Sequence, residues 1–251
     1  MKKSILVVAM AALLLSSTGR ATVFFNDGEE HFIYYAIGED VRVFNSYEGN
    51  PTIVNLVPGG MLTGGIVDDD SSVFVLGGAS REQLRAFHNA TITVSSGSIN
   101  GLSGYNDSQI SLSGGEVGNY VEMSGSSRFE LSGGSLDGFF HVFERAQAFV
   151  SGGIITGRIE AGVNDGFHTS VITIYGTGFN YPYGPIDIPK VYDEHYEYFY
   201  ATGTLTGTLL NGDPINIGFR IYDNASIVLI PEPASLLLMG LGGLLIRKRK
   251  S

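Results

Sequence analysis

The chain has 251 residues, 43% of them hydrophobic, with a formal net charge of −10 and no cysteine. The missing cysteine excludes disulfide staples, thiolate metal sites and cysteine nucleophiles. Between positions 22 and 230, eight Lys and Arg stand against 24 Asp and Glu, a net charge of −16, which lacks the basic footprint a nucleic-acid partner requires.

At the start of the chain, Lys2 and Lys3 precede an apolar run over 5–15, and small residues follow up to Gly19-Arg20-Ala21. This layout predicts a secretory signal peptide over 1–21, cleaved after Ala21, with a plain anchor helix as the alternative. The chain therefore leaves the cytoplasm. Residues 22–52, which include an aromatic stretch over 24–44, are expected to cap the domain that follows.

The body from 53 to 179 is a repeat. Gly59-Gly60, Gly77-Gly78, Ser96-Gly97, Gly114-Gly115, Gly133-Gly134 and Gly152-Gly153 punctuate it at intervals of 18 or 19 residues. Three residues before each second glycine stand Val57, Val75, Val94, Leu112, Leu131 and Val150, and Ile174 fits a last divergent copy. A second column, two residues after the glycine, holds Leu62, Ile99, Val117, Leu136 and Ile155, with Ser80 as the exception. A third, six residues after, holds Ile66, Leu84, Val121, Phe140 and Ile159. Apolar positions alternate with Thr93, Ser111 and Glu130, which is strand periodicity. One repeat is too small to bury its own apolar face, so copies must stack. The expected fold is all-β: a single-stranded parallel β-solenoid with one turn per 18 or 19 residues. Right-handed winding is expected, since parallel crossovers take that hand. A β-sandwich is the competing fold.

Residues 180–230 break the repeat. Pro182, Pro185 and Pro189 alternate with Tyr181, Tyr183, Tyr192, Tyr196, Tyr198 and Tyr200 in a loop or insertion. A hairpin follows, from Thr204 to Leu209, turning at Asn211-Gly212-Asp213 and returning from Ile215 to Ile221. Its expected task is to close the end of the solenoid against pairing with other chains.

The last segment, 231–251, is the most specific. It reads Pro231-Glu232-Pro233, a 13-residue apolar run over 234–246, then Arg247, Lys248, Arg249 and Lys250. The run is short of the roughly 20 residues a stable membrane span needs, and the basic cluster would stay on the cytoplasmic side. This order resembles the PEP-CTERM sorting signal of Gram-negative bacteria. The resemblance implies transient membrane anchoring, handling by an exosortase with cleavage near the tripeptide, and delivery to the cell surface or extracellular matrix. A simple C-terminal anchor is the alternative. The Ser-Gly-Gly turns and the Gly203-Thr204-Leu205-Thr206-Gly207 stretch also resemble exported bacterial β-helix proteins, which supports a fold and not an activity.

The candidate sites within the body are sparse. Asp68-Asp69-Asp70 suggests calcium, but it fills the turn slot that Asn106-Asp107-Ser108 fills later, so no metal is expected. Asp193, Glu194 and Glu197 around His195 offer carboxylates for glycoside hydrolysis, while Glu116, Glu130 and Glu160 occupy different slots, so no carboxylate ladder is expected. The five histidines lack zinc-ligand spacing. No phosphate loop or other cofactor motif is present. Tyr192, Tyr196 and Tyr198 are the candidate ligand contacts, stacking on sugars. The reading is an exported, non-catalytic surface or matrix protein whose partners are an exosortase-type enzyme and extracellular polysaccharide. A carbohydrate-binding protein and a polysaccharide-active enzyme are the alternatives.

Overall fold

The computed structural model describes residues 21–162, 169–195 and 198–231. They form an all-β parallel solenoid of about seven turns. Each turn contributes strands to three parallel stacks, here named sheets A, B and C.

Sheet A stacks Glu30–Ile33, Ile53–Leu56, 72–75, 91–94, Gln109–Leu112, 128–131, 147–150, 171–174 and 226–229. Sheet B is short. It pairs 36–37, 61–62, 79–80, 98–99, 116–117, 135–136 and 154–155. Sheet C stacks Thr22–Phe25, 40–43, 64–67, 84–86, 101–104, 120–123, Phe139–Val142, Ile159–Ala161 and 219–221.

Like residues stand on like residues inside. On sheet A, Leu56, Val75, Val94, Leu112, Leu131, Val150, Ile174 and Leu229 follow one another in register, each no more than 1% exposed. This is the column expected from the repeat, with one correction. Leu56, not Val57, fills the first position, because the corner Val57-Pro58-Gly59-Gly60 holds one residue more than later corners; Val57 is half-buried. Ile66 is a second correction. It pairs with Arg85 on the outer face of sheet C, and Gly65 opposes the buried Leu84. A Cβ on Gly65 would approach Leu84 Cδ2 to 3.1 Å, so the leucine fills the space the glycine leaves.

The corner between sheets A and B depends on glycine. At Gly115 and Gly134, φ is +81° and +79°, and a Cβ on either would sit 2.6 Å from the carbonyl oxygen of the glycine one turn below. The corner from sheet C to the next sheet A is a four-residue turn. Its second residue has positive φ in Asp69, His88, Asn106, Gly125 and Glu144. The fourth donates its N–H to the first: Ser71 to Asp68, Ala90 to Phe87, Ser108 to Tyr105, Ser127 to Ser124 and Ala146 to Phe143. Ser71, Ala90, Ser108, Ser127 and Ala146 are all completely buried, a stack of small side chains that turns the chain inward.

Both ends differ from expectation. Residues 22–43 do not form a separate cap. Thr22–Phe25, Glu30–Ile33 and Ala36–Val43 pair in parallel with the turn above, so the stack begins at position 22. At the other end, the expected hairpin is present as Tyr198–Leu209 and Pro214–Tyr222, with Leu205 opposite Ile217. It also carries the solenoid onward. Its 219–221 segment pairs in parallel with Ile159–Ala161, and Ser226–Pro231 then lies in parallel on 171–176. The hairpin tip docks on the Gly152-Gly153 corner, where Gly153 N–H donates to Asp213 Oδ2 at 2.7 Å and Asn211 N–H donates to Ser151 O at 3.0 Å.

Candidate functional site

Three features of this scaffold carry chemistry: the outer face of sheet C, the tyrosine-rich closure, and the strand that leads into the tail.

The outer face of sheet C is a ladder of polar side chains. Register places Arg85, Ser103, Glu122, His141, Glu160 and Arg220 side by side on consecutive turns. As expected, no carboxylate in this column recurs on adjacent turns, but Glu122 and Glu160 stand two turns apart with His141 between them. Glu122, His141 and Glu160 stand 19 residues apart. Alternating residue types concealed a column that a constant side chain would have revealed.

At its C-terminal half the ladder is a charge cluster. Glu160 is 7% exposed. Its carboxylate meets Arg158 Nη2 at 2.5 Å, His141 Nε2 at 3.3 Å and Arg220 Nη1 at 4.0 Å. Arg220 Nη1 also donates to Tyr222 OH at 2.9 Å, and this bond raises the guanidinium pKa further. Burial pushes the His141 imidazole below the ordinary histidine range, against the opposing pull of Glu160 and Glu122. Tyr105 OH donates to Glu122 Oε1 at 3.2 Å, and burial raises its phenol pKa. Two arginines neutralise the buried carboxylate, which binds the returning strand at 219–221 to the solenoid turn beneath it.

At its N-terminal half the same face opens into a groove of about 470 Å³. Asp40, Arg42, Gln83, Arg85, Asn119 and Tyr120 line it, and Gly64 and Gly65 form part of its course. A Cβ on Gly101 would meet the Tyr120 ring at 3.2 Å, so that glycine lets the ring lie flat over the sheet. None of these residues was singled out in the sequence. Their signal is the outward position in sheet C, which is readable only once the register is known.

Asp68, Asp69 and His88 come together at two stacked corners, their ligand atoms within 4.8 Å of one another. His88 Nδ1 lies 2.5 Å from Asp68 Oδ1, and this contact raises the pKa of the imidazole. Sequence separation hid the pairing, since the two residues are 20 apart and meet through stacking. Asp68 and Asp69 also serve a corner turn, as expected for that slot, and His88 takes the positive-φ position of the next corner.

The tyrosines over 192–200 pack on one another. Tyr192 lies against Phe199 with ring centroids 4.8 Å apart, and Tyr198 lies against Tyr200 and Tyr222 at 5.7 and 5.2 Å. Tyr192 remains 47% exposed. Tyr196 and Glu197 lie outside the described residues. Asp193 and Glu194 sit at the turn of an edge hairpin, where Asp193 Oδ1 accepts the His195 N–H at 3.0 Å.

Pro231 is the last described residue and ends the strand Ser226–Pro231. It pairs with Gly176, and Leu229, two residues earlier in the same strand, is 1% exposed. Glu232, Pro233, Arg247, Lys248, Arg249 and Lys250 lie outside the described residues, as does the proposed signal peptide up to Arg20. Among the described residues no helix is long and apolar enough to cross a membrane.

The family model of the PEP-CTERM protein-sorting motif matches residues 229–250. The chain thus carries a PEP-CTERM sorting motif on a β-solenoid body, the mark of an exported protein handled by an exosortase. No curated protein and no solved structure matches the chain.

Proposed function

We propose that this is a non-catalytic cell-surface or extracellular-matrix protein, delivered through a cleaved signal peptide, held briefly in the membrane by its C-terminal run and released by an exosortase-type enzyme. The matched motif at the end of a repetitive, acidic body carries this reading. A regular stack wound in the right-handed sense suits a display element, because it holds an extended outer face without needing a closed pocket. The charge cluster supports a structural role, since its buried carboxylate is already met by Arg158 and Arg220. The test is replacement of Pro231, Glu232 and Pro233 by alanine in the producing cell. The variant should accumulate at full length in the membrane fraction. Unchanged release to the surface would refute the reading.

A second reading, carbohydrate binding, is favoured by the groove on sheet C. Its amides, carboxylate, guanidinium groups and phenol supply both donors and acceptors, which suits a hydroxyl-rich ligand. The site differs from the Tyr192, Tyr196 and Tyr198 cluster expected from the sequence. A glycan array read with the protein and with Arg85→Ala and Tyr120→Ala separates the two. Loss of signal in the groove variants alone assigns binding to sheet C.

A further inference from the structure

The sorting motif begins inside the folded body. Its first three matched positions, Leu229, Ile230 and Pro231, are paired with Ile174, Tyr175 and Gly176. On the other side of the same strand, Gly184 and Pro185 pair antiparallel with Leu229 and Val228. Leu229 is thus held on both sides. Only Glu232 and Pro233 separate this strand from the apolar run that starts at Ala234.

That spacing fixes a distance. Three extended steps from Pro231 to Ala234 span at most about 10 Å. The headgroup layer on one side of a bilayer is about 5–8 Å thick. A chain whose apolar run enters the hydrocarbon therefore brings its last solenoid turn to within about 2–5 Å of the headgroup surface.

The surface at this end suits that position. Tyr183, next to the Gly184–Leu229 pair, is 50% exposed. Val191, Tyr192 and Phe199 are 61%, 47% and 50% exposed, on the strands Val191–Asp193 and Tyr198–Leu209 that follow 219–221 at the end of sheet C. Aromatic side chains with a polar tip favour the boundary between headgroups and hydrocarbon. The segment's charged groups are mostly acidic, Asp187, Asp193 and Glu194 with Lys190 alone of opposite sign among its described residues. Attraction to anionic lipid is thereby excluded, and contact with a neutral interface is left.

We propose that the aromatic C-terminal end of the solenoid lies on the outer surface of the lipid bilayer while the sorting tail is attached, so that the membrane covers the exposed tyrosines and Phe199 until processing frees them. This rests on the proposed reading of the tail as a membrane-held sorting signal.

The chain contains no tryptophan, so single substitutions report locally. The full chain carrying Tyr192→Trp, Phe199→Trp or, as a distant control, Tyr47→Trp is reconstituted with phosphatidylcholine vesicles, with and without brominated acyl chains. Tyr47 is fully exposed and lies seven rungs of sheet A from the tail, about 34 Å at the usual strand spacing. The probes at 192 and 199 should shift to the blue and lose fluorescence to the bromolipid, and the probe at 47 should do neither. A flexible insertion of Gly and Ser between Pro231 and Glu232 should abolish the quenching while the protein still floats with the vesicles. Flotation without quenching at 192 and 199 in the uninterrupted chain overturns the contact and leaves the tail reading intact. Quenching that survives the insertion overturns the tether. Failure to float overturns both. A probe signal that depends on protein concentration without lipid assigns the surface to a second copy and overturns the proposal.

Discussion

At the scale of single residues, the fold depends on side chains repeated in register and on a few that break the repeat. Leu112 stands between Val94 and Leu131 and is completely buried. Leu112→Ala should lower the unfolding free energy by about 2–5 kcal/mol, measured by denaturant titration. Gly134 combines φ of +79° with a backbone oxygen 2.6 Å from any added Cβ, so Gly134→Ala should cost at least about 1–3 kcal/mol in the same experiment. His141 gives a pH dependence. Its folded pKa lies below the ordinary histidine value of 6.5 because of burial. Near and below 6.5 the unfolded chain takes up a proton that the folded chain resists, so stability is full above that value and falls as the pH drops through it. His88 runs the other way, since Asp68 raises its pKa, but it is exposed and contributes little. Melting temperature followed from about pH 8 to about pH 5 should therefore decline, and His141→Gln should flatten the decline. A slope identical in the variant would remove His141 from the account.

At the scale of elements, the A–B corner was legible and the C–A corner less so. Glycine pairs at intervals of 18 or 19 announced the first, because close backbone approach admits almost no other residue there. The C–A corner accepts Asp69, His88, Asn106, Gly125 and Glu144 at its positive-φ position, so identity carries little signal. The first turns, within the 22–52 segment expected as a cap, carry Tyr34 and Tyr35 where later turns have glycine, so the repeat is hidden there although the backbone pairing is the same. The ladder of Glu122, His141 and Glu160 keeps its interval but changes its chemistry at each step. Asn211-Gly212 did reveal the closing hairpin, whose strands pair from Tyr200 to Thr208. What the sequence withheld is where its tip lands. Asp213 accepts from Gly153 N–H and from Asn211 Nδ2 at 2.7 and 2.6 Å. Asp213→Ala should destabilise the closure by about 1.5–3 kcal/mol. Faster amide exchange in 198–222 than in 91–131 would show the loss to be local.

At the scale of the whole molecule, an acidic solenoid of about seven turns ends directly in a sorting motif, with Pro231 still paired to Gly176. On the proposed reading, the apolar run would hold Pro231-Glu232-Pro233 at the outer boundary of the membrane while Arg247, Lys248, Arg249 and Lys250 would resist translocation. A processing enzyme at that boundary would therefore cut within a few residues of the last rung, and the mature protein would be the solenoid with almost nothing appended. The intact mass of the protein from the surface fraction of its own cells tests this most directly. The account predicts a chain that starts near Thr22 and ends near Pro231-Glu232-Pro233, without the basic cluster. A surface form that retains Arg247, Lys248, Arg249, Lys250 and Ser251 would contradict it, and would make the tail a simple anchor.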